Sequence, residues 1–393
     1  MGSQRSIFRS IVVLLSLISM MITGVLIFAV VTHLPHLSQA ARVIALVKSQ
    51  ALNEVSTAEL IKGATVGMIE ALDDPYSAYL EPEKFENLKE HIQGTYGGVG
   101  LLITVDQDRR LVVVSPFKGS PAHRAGISSG DWILKIGDQD TRELDLTEAA
   151  NLMQGEPGTS VVLTVLRPEE SVPREFELVR EIIEIPTVQG EMLPGEDSIA
   201  YVNITHFTEQ TDKELARTLK ELQNDGFGGL ILDLRSNPGG SLTGAAGVVS
   251  YFIPEGPAAY IVSKRETKAL KTQKGKYLNV PLVVLVNRGS ASASEIVAGA
   301  IKDTGSGILV GENTFGKGLV QTVFPLQGGA AVKLSTAKYL TPAKHDIHAK
   351  GISPHEEIKL TPEEEKEILM QGPDPAKDPQ LKRAVEILQG KMN

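Results

Sequence analysis

The spacing of apolar positions changes several times along this chain of 393 residues, and each change marks a segment boundary. Residues 11–31 form an uncharged run interrupted only by Ser16, Ser19, Thr23 and Gly24. A helix of about 20 such residues crosses a bilayer. No amphipathic stripe marks this run as a buried core helix, so a transmembrane anchor is expected within 1–36. A cleaved signal peptide has a shorter apolar region of roughly 7–15 residues. Ser38-Gln39-Ala40 nevertheless offers a small-residue cleavage site, which leaves a cleaved, secreted form open. Arg5 and Arg9 precede the run and only Arg42 and Lys48 follow soon after, so the N-terminus is expected inside and the body outside.

Helical spacing continues through 38–70, with Val43, Ile44, Val47, Leu60, Ile61, Val66 and Ile69 on the apolar positions. Asp73-Asp74-Pro75-Tyr76 stops it with turn chemistry. A short charged helix is predicted over 82–92, with its proline in the first turn, where a missing N–H costs nothing. The period then drops to that of short strands: 99–104, 111–114, 132–136 and 160–166. Between them Ser120-Pro121 opens a helical turn ending at Gly126, and a helix is predicted over 147–153. About 75 residues of this kind make a small domain. From residue 182 onward, strands (199–204, 230–234, 282–286, 307–310, 331–338) alternate with helices (212–222, 241–252, 292–302). Such alternation predicts an α/β domain. The stretch beyond Thr361 reads as charged and helical, broken at Pro373, Pro375 and Pro379.

Composition narrows the chemistry. A net charge of −9 with no basic stripe disfavours nucleic acid as a partner. The absence of cysteine excludes disulfides, thiolate metal sites and a cysteine nucleophile. The histidines are at 33, 36, 91, 123, 206, 345, 348 and 355, and none has the setting of a triad base. His345 and His348 are three apart without a helix, so no metal is expected there, and no cofactor is implied.

Two segments carry candidate chemistry. The apolar strand 282–286 runs into Gly289-Ser290-Ala291-Ser292-Ala293-Ser294 and then a helix led by Glu295. A serine at a strand-to-helix turn sits where helix N–H groups can stabilise an oxyanion, although serine is also an ordinary helix cap. Lys317 lies between Gly316 and Gly318, where glycine signals close backbone approach; a lysine desolvated there loses its proton more readily and can act as a base. The same loop, 311–317, imitates a phosphate-binding loop, but Gly318 stands where the Ser/Thr should be and 319–323 reads as strand. A third motif, 232–240 (LDLRSNPGG), ends in a Pro-Gly-Gly turn able to aim N–H groups at an anion. Without a usable histidine, a Ser-Lys dyad is the better nucleophile arrangement.

The strings DPYSAYL (74–80), LDLRSNPGG (232–240), GSASASEIVAGAIKD (289–303) and GENTFGKGLVQ (311–321), in this order, closely resemble the carboxyl-terminal processing proteases. The resemblance covers about 40–360 and implies an α+β multidomain fold. It places a PDZ domain at 94–168 before a Clp-protease/crotonase-like α/β protease core at 169–360. A helical segment at 37–93 and a charged helical tail at 361–393 would flank these. By the same resemblance Ser292 is the nucleophile, Lys317 the general base and Gln321 the residue that orients the lysine. The N–H groups of Gly239 and Ala293 would form the oxyanion hole, and Asp303 matches an acidic accessory position. The sequence departs from the family pattern at Lys344-His345, usually Gly-Arg, and at His355, usually an acid.

Tyr96, Gly97, Gly98, Val99 and Gly100 form a glycine-rich turn expected to capture a substrate's C-terminal carboxylate while the peptide adds as a strand. The expected partners are protein substrates bound by their C-termini and a bacterial inner membrane crossed once, with the catalytic body in the periplasm or another extracytoplasmic space. An activating lipoprotein or adaptor, and a homodimer or higher homo-oligomer through the terminal helices, are further expectations. Two other readings compete: a PDZ adaptor without catalysis, and a nucleotide-binding protein.

Overall fold

The computed structural model describes residues 14–24 and 35–392 and separates into two compact units, 1–79 and 80–393. The first is helical. Residues 14–24 are helical and exposed, and the helices Pro35–Gln50 and Thr57–Glu70 follow. Ser56 caps the latter, and Glu59 returns the bond to the Ser56 N–H (2.8 Å), as a capping box requires. Of the expected membrane span, 11–31, residues 14–24 are described, and 11–13 and 25–31 lie outside the described residues. Among the described residues no helix is long and apolar enough to cross a membrane. The helix Pro82–Gln93, expected with the N-terminal segment, belongs to the second unit.

The second unit begins with a small β body. Strands Leu101–Val105, Leu111–Pro116, Trp132–Ile136, Ser160–Leu166 and Arg174–Val179 pair antiparallel in that order. Their inward residues, among them Val113, Ile133, Leu163 and Val165, close on Ala122 and on Ala149 and Met153 of the helix Leu146–Met153. The body does not stop at 168: the strand Arg174–Val179 completes its sheet, and Leu178 lies in its core. A two-stranded ribbon of Thr95–Gly98 with Glu181–Glu184 carries the chain in and out.

The larger body is built on a sheet ordered Val188–Met192, Ile199–Ile204, Gly229–Asp233, Leu282–Val286, Ile308–Gly311 and Glu356–Glu357. It is parallel except for the first pair. Continuous apolar strands suit a sheet covered on both faces. Leu230, Leu232, Val284 and Val286 face the helices Thr211–Asp225, Leu242–Phe252 and Ala293–Thr304. Ile231, Val283 and Leu285 face the other way, onto Leu381, Ala384, Val385 and Leu388 of the last helix, Pro379–Met392.

That last contact revises the expected charged tail at 361–393: its final helix is one layer of the core. Those four side chains are therefore not available to pair with a second copy. The charged residues mask the pattern, since the apolar positions recur only every three or four residues and span less than four turns. An ion cluster pins the same helix. The Arg235 side chain, only 9% exposed, bonds Asp233 (2.6 Å) and reaches Asp378 (2.7 Å) and Gln380 (3.1 Å), beside the start of the helix. A second, antiparallel sheet joins Pro257–Ser263 to Thr267–Lys271 and to Ala331–Leu340, which also pairs with Leu319–Pro325.

Leu388→Ala removes a fully buried side chain from the layer behind the sheet. We expect a loss of about 2–5 kcal/mol in urea-unfolding stability. A loss below about 1 kcal/mol would show that this helix is not part of the cooperative core.

Candidate functional site

Strand Leu282–Val286 delivers the serine string to the N-terminus of helix Ala293–Thr304, and the three serines end up in different settings. Ser290 and Ser294 are fully buried; their hydroxyls donate to the carbonyls of Leu234 (2.8 Å) and Asn237 (2.9 Å). Ser292 is partly exposed and holds φ +54°, ψ −111°, a conformation that L-residues rarely adopt. Strain of this kind persists only where the surroundings enforce it, and it clusters at functional sites.

The Pro-Gly-Gly turn provides part of that enforcement. Gly239, at φ +99°, lies so close to the serine turn that a Cβ there would come within 2.7 Å of the Ser292 Cβ and 2.8 Å of the Ala293 nitrogen. Asn237, fully buried, joins the two turns: its carbonyl accepts from Ala291 N–H (3.0 Å), and its side-chain amide donates to Ile204 (2.7 Å). Its Oδ1 takes the N–H of Gly239 at 2.9 Å, so in this conformation that N–H faces Asn237. Ala293 opens the helix, so its N–H has no intrahelical partner.

The lysine loop approaches from the other side. Gly316 and Gly318 fit because the segment 347–351 runs against them; a Cβ on either would come within 2.9 Å of a backbone nitrogen of Gly351 or His348. Strand Leu319–Pro325 follows, with no helix start, which leaves the phosphate-loop reading without its structural context. Asp233, at the end of strand Gly229–Asp233, is bonded to Arg235 and to the Tyr201 hydroxyl (2.7 Å).

One side chain that the sequence reading passed over binds these parts together. Glu295 is completely buried. Its Oε1 accepts from the Thr314 hydroxyl (2.6 Å) and Gly316 N–H (2.7 Å), and its Oε2 from the N–H groups of Ser292 (2.9 Å) and Lys317 (2.8 Å). The spacing Ser292-x-x-Glu295 is that of a capping box, the one signal in the sequence that points to it. The Tyr339 hydroxyl lies 2.9 Å from the Ser292 carbonyl and 2.8 Å from that of Lys317, with Glu295 Oε2 at 3.5 Å. Burial first, and then the Glu295 carboxylate, push the Tyr339 phenol well above its ordinary pKa of 10.0, so it stays a proton donor. Ser292 and Lys317 are thus fastened to one carboxylate and one hydroxyl.

Lys317 itself is half-buried. Its pKa is lowered from 10.5, chiefly by desolvation and then by the charge of Lys333, with Glu295 opposing. Gln321 lies on the adjoining strand, across from Ser335 and just past a bulge; its Nε2 is buried with no hydrogen-bond partner among the described residues. Asp303 ends up at the opposite end of the helix from Ser292. It accepts the Ala343 N–H (2.8 Å) and lies 3.4 Å from His345, holding the turn where the sequence departs from the family pattern. His355, the other departure, accepts the Leu309 N–H (2.9 Å). His206 stacks on His91, with ring centroids 5.2 Å apart. Among the described residues no group of three or more His, Asp or Glu could hold a metal ion.

The expected carboxylate-capturing turn is only partly a turn. Tyr96, Gly97 and Gly98 are in the ribbon paired with residues 181–183, and burial raises the Tyr96 pKa to about 12. Val99 and Gly100 remain at the head of strand Leu101–Val105. That strand ends the sheet order, so its other edge is open, with Leu102 and Val105 exposed.

Comparison with known proteins gives the family and the fold. Residues 198–358 match the model of peptidase family S41, 112–167 a PDZ domain, and 29–84 the N-terminal domain of the activating protease CtpB. The chain is 41% identical to the carboxyl-terminal-processing protease of Synechocystis sp. over 297 residues, 74% of this chain and 69% of that protein. It is 37% identical to the carboxy-terminal processing protease CtpA of Bacillus subtilis over 316 residues, 80% and 67% of the two chains. A solved structure from Bacteroides fragilis, 18% identical, shares the fold, with a TM-score of 0.53 over 88% of this chain and 93% of that one. The chain therefore belongs to peptidase family S41 and is a carboxyl-terminal processing serine protease with a PDZ domain ahead of its catalytic core.

Proposed function

We propose that Ser292 is the nucleophile and Lys317 the general base of an endopeptidase that cleaves extracytoplasmic proteins, recognising their C-termini through its PDZ domain. The observation that carries this reading is the Glu295–Tyr339 clasp on both residues, with Ser292 the strained, accessible serine of its string.

The neutral amine of Lys317 takes the proton of the Ser292 hydroxyl as its oxygen bonds to the substrate carbonyl carbon. Negative charge moves to the carbonyl oxygen, near the helix N-terminus and the Ala293 N–H. Gly239 joins as second donor once its N–H turns from Asn237 to the oxyanion. Protonated Lys317 then returns the proton to the departing amine as the C–N bond breaks, leaving an acyl-enzyme on Ser292. Water attacks the ester with Lys317 again as base, and the new C-terminus leaves. Gln321 steadies the lysine. Asp303 acts at a distance, through the 341–345 turn.

The small domain recognises the substrate's C-terminus. A peptide strand adds to the open edge of Leu101–Val105, its carboxylate directed to the Val99-Gly100 backbone. An N-terminal anchor at 11–31 holds the body outside the bacterial inner membrane. Partner lipoproteins and self-association belong to this reading as expectations only.

Ser292→Ala and Lys317→Ala should each abolish cleavage of casein while the circular dichroism stays that of the parent; activity in either variant sinks the dyad. Lys317→Arg should be equally inactive, because a guanidinium stays protonated. The sign of the pH dependence follows from the lowered lysine pKa. The base works only when neutral, so kcat/KM should rise with pH through a midpoint below the ordinary 10.5. A rate that is flat or falling over that range would point to another base.

Glu295→Gln replaces one acceptor oxygen with a donor facing N–H groups. It should cut kcat by about 100-fold or more and lower stability by about 1–3 kcal/mol, the cost of stranding buried donors. Activity within threefold of the parent would show that the clasp does not set the dyad geometry.

A further inference from the structure

The loop that brings Lys317 to the site also carries an aromatic side chain that none of the steps above uses. Phe315 lies two residues before Lys317 and is 57% exposed, between Thr314 and Gly316, which are both buried. The Thr314 hydroxyl and the N–H groups of Gly316 and Lys317 turn inward to Glu295, at 2.6, 2.7 and 2.8 Å. The Phe315 N–H donates to the carbonyl of Ser290 (3.0 Å), two residues before Ser292. The backbone of Phe315 is therefore fastened on both sides and to the serine turn, while its ring stands on the solvent side, from which a substrate reaches Ser292. Gly316 and Gly318 have no side chains, so along 315–318 only Phe315 and Lys317 offer one to an approaching chain. Single exposed apolar residues are ordinary on a protein surface. Phe324 and Leu326 are of that kind, at the far end of strand Leu319–Pro325 and just beyond it. Phe315 differs in being held rigidly beside the nucleophile and the base.

We propose that Phe315 is a specificity-determining residue of the cleavage reaction, its ring forming the wall of a subsite that takes an apolar side chain next to the scissile bond. The inference rests on the reading of Ser292 and Lys317 as the reacting pair. The lysine must reach both the Ser292 hydroxyl and the departing amine, so the scissile bond lies beside the loop that holds it. A side chain two residues along that loop borders the substrate residues joined by that bond. Selectivity then follows from burial. A ring exposed in the free protein gains when apolar surface covers it. A polar or charged side chain placed against it loses water and finds no hydrogen bond in return. Phe315 brings neither charge nor a side-chain donor, so the occupant is an aliphatic or aromatic side chain of the substrate. Because the backbone of the loop is already fixed, little freedom is lost when that side chain docks.

The test is the set of cuts that the full chain makes in casein, with both new termini of every cut identified by mass spectrometry, for the parent, Phe315→Ala and Phe315→Leu. In the parent, apolar residues should be over-represented at one of the two positions flanking the cut. Phe315→Ala should lower the ratio of such cuts to cuts at polar residues by about tenfold or more, the scale on which a hydrophobic pocket discriminates. Phe315→Leu should keep most of the preference. An unchanged ratio in Phe315→Ala overturns the proposal, as does a parent with no apolar preference. An equal loss at every site, or a shifted acidic limb of kcat/KM, overturns it too, because either shows only that the loop holding Lys317 has been disturbed. A change of oligomeric state in Phe315→Ala, read by sedimentation velocity, does the same by assigning the ring to a contact between copies. Thermal melts report folding; should Phe315→Ala melt early, Phe315→Thr is measured in its place under the same criteria. Ser292→Ala and Lys317→Ala digests keep the two readings apart. Activity in either sinks the dyad, whereas the Phe315 outcome is read only from where the parent and its Phe315 variants cut.

Discussion

A carboxylate buried completely away from water is the constraint on which the rest of this site depends. Leaving such a charge unpaired would cost several kcal/mol, so the chain must bring donors to it. Glu295 obtains them from three separated stretches: Ser292, the loop from Thr314 to Lys317, and Tyr339 of the second sheet. Each donor is a backbone or hydroxyl group whose position is fixed by its own element. Satisfying the carboxylate therefore fixes the relative placement of Ser292 and Lys317. The strain at Ser292 is sustained by the same bonds, together with the close approach of Gly239.

A second constraint concerns charge. A lysine can serve as a base only if its charged form is disfavoured, yet a protease site must open to substrate. Partial burial meets the first requirement incompletely, and the acidic Glu295 beside the loop opposes it. The hairpin from Leu319 to Leu340 bears on both: its Tyr339 hydroxyl holds the carbonyl of Lys317, and Gln321 lies across from Ser335 just past a bulge. The protease core is otherwise occupied with support. The Asp233–Arg235–Asp378 cluster ties the strand leading to the Pro-Gly-Gly turn to the last helix, so the back of the sheet and that turn are mechanically joined.

Much of this was legible beforehand, and the reasons are local. Strands 199–204 and 282–286 are short apolar runs bounded by turn residues, and the structure returns both without a shift. Gly126 ends its helical turn in the left-handed conformation, φ +85°, as its position after Ala125 predicts. Harder to read were the hairpin Pro257–Ser263 with Thr267–Lys271, whose charged residues dilute the period, and the strand Arg174–Val179, which alternates weakly. The last helix was misjudged as a tail because its four buried positions are separated by lysine, arginine and glutamate.

By itself the sequence determined the chemistry on offer: serine and lysine without cysteine, motifs in a family's order, and strands apolar enough to be buried on both faces. It left open which of three serines is exposed, because Ser290, Ser292 and Ser294 are alike in type and spacing, and only their partners differ. Tertiary structure decided that, since Leu234 and Asn237 take two of the hydroxyls and lie far away in the chain. It also decided the roles of Glu295, Asn237 and Tyr339. Their importance lies in bonds between segments tens of residues apart, and no local pattern encodes those distances.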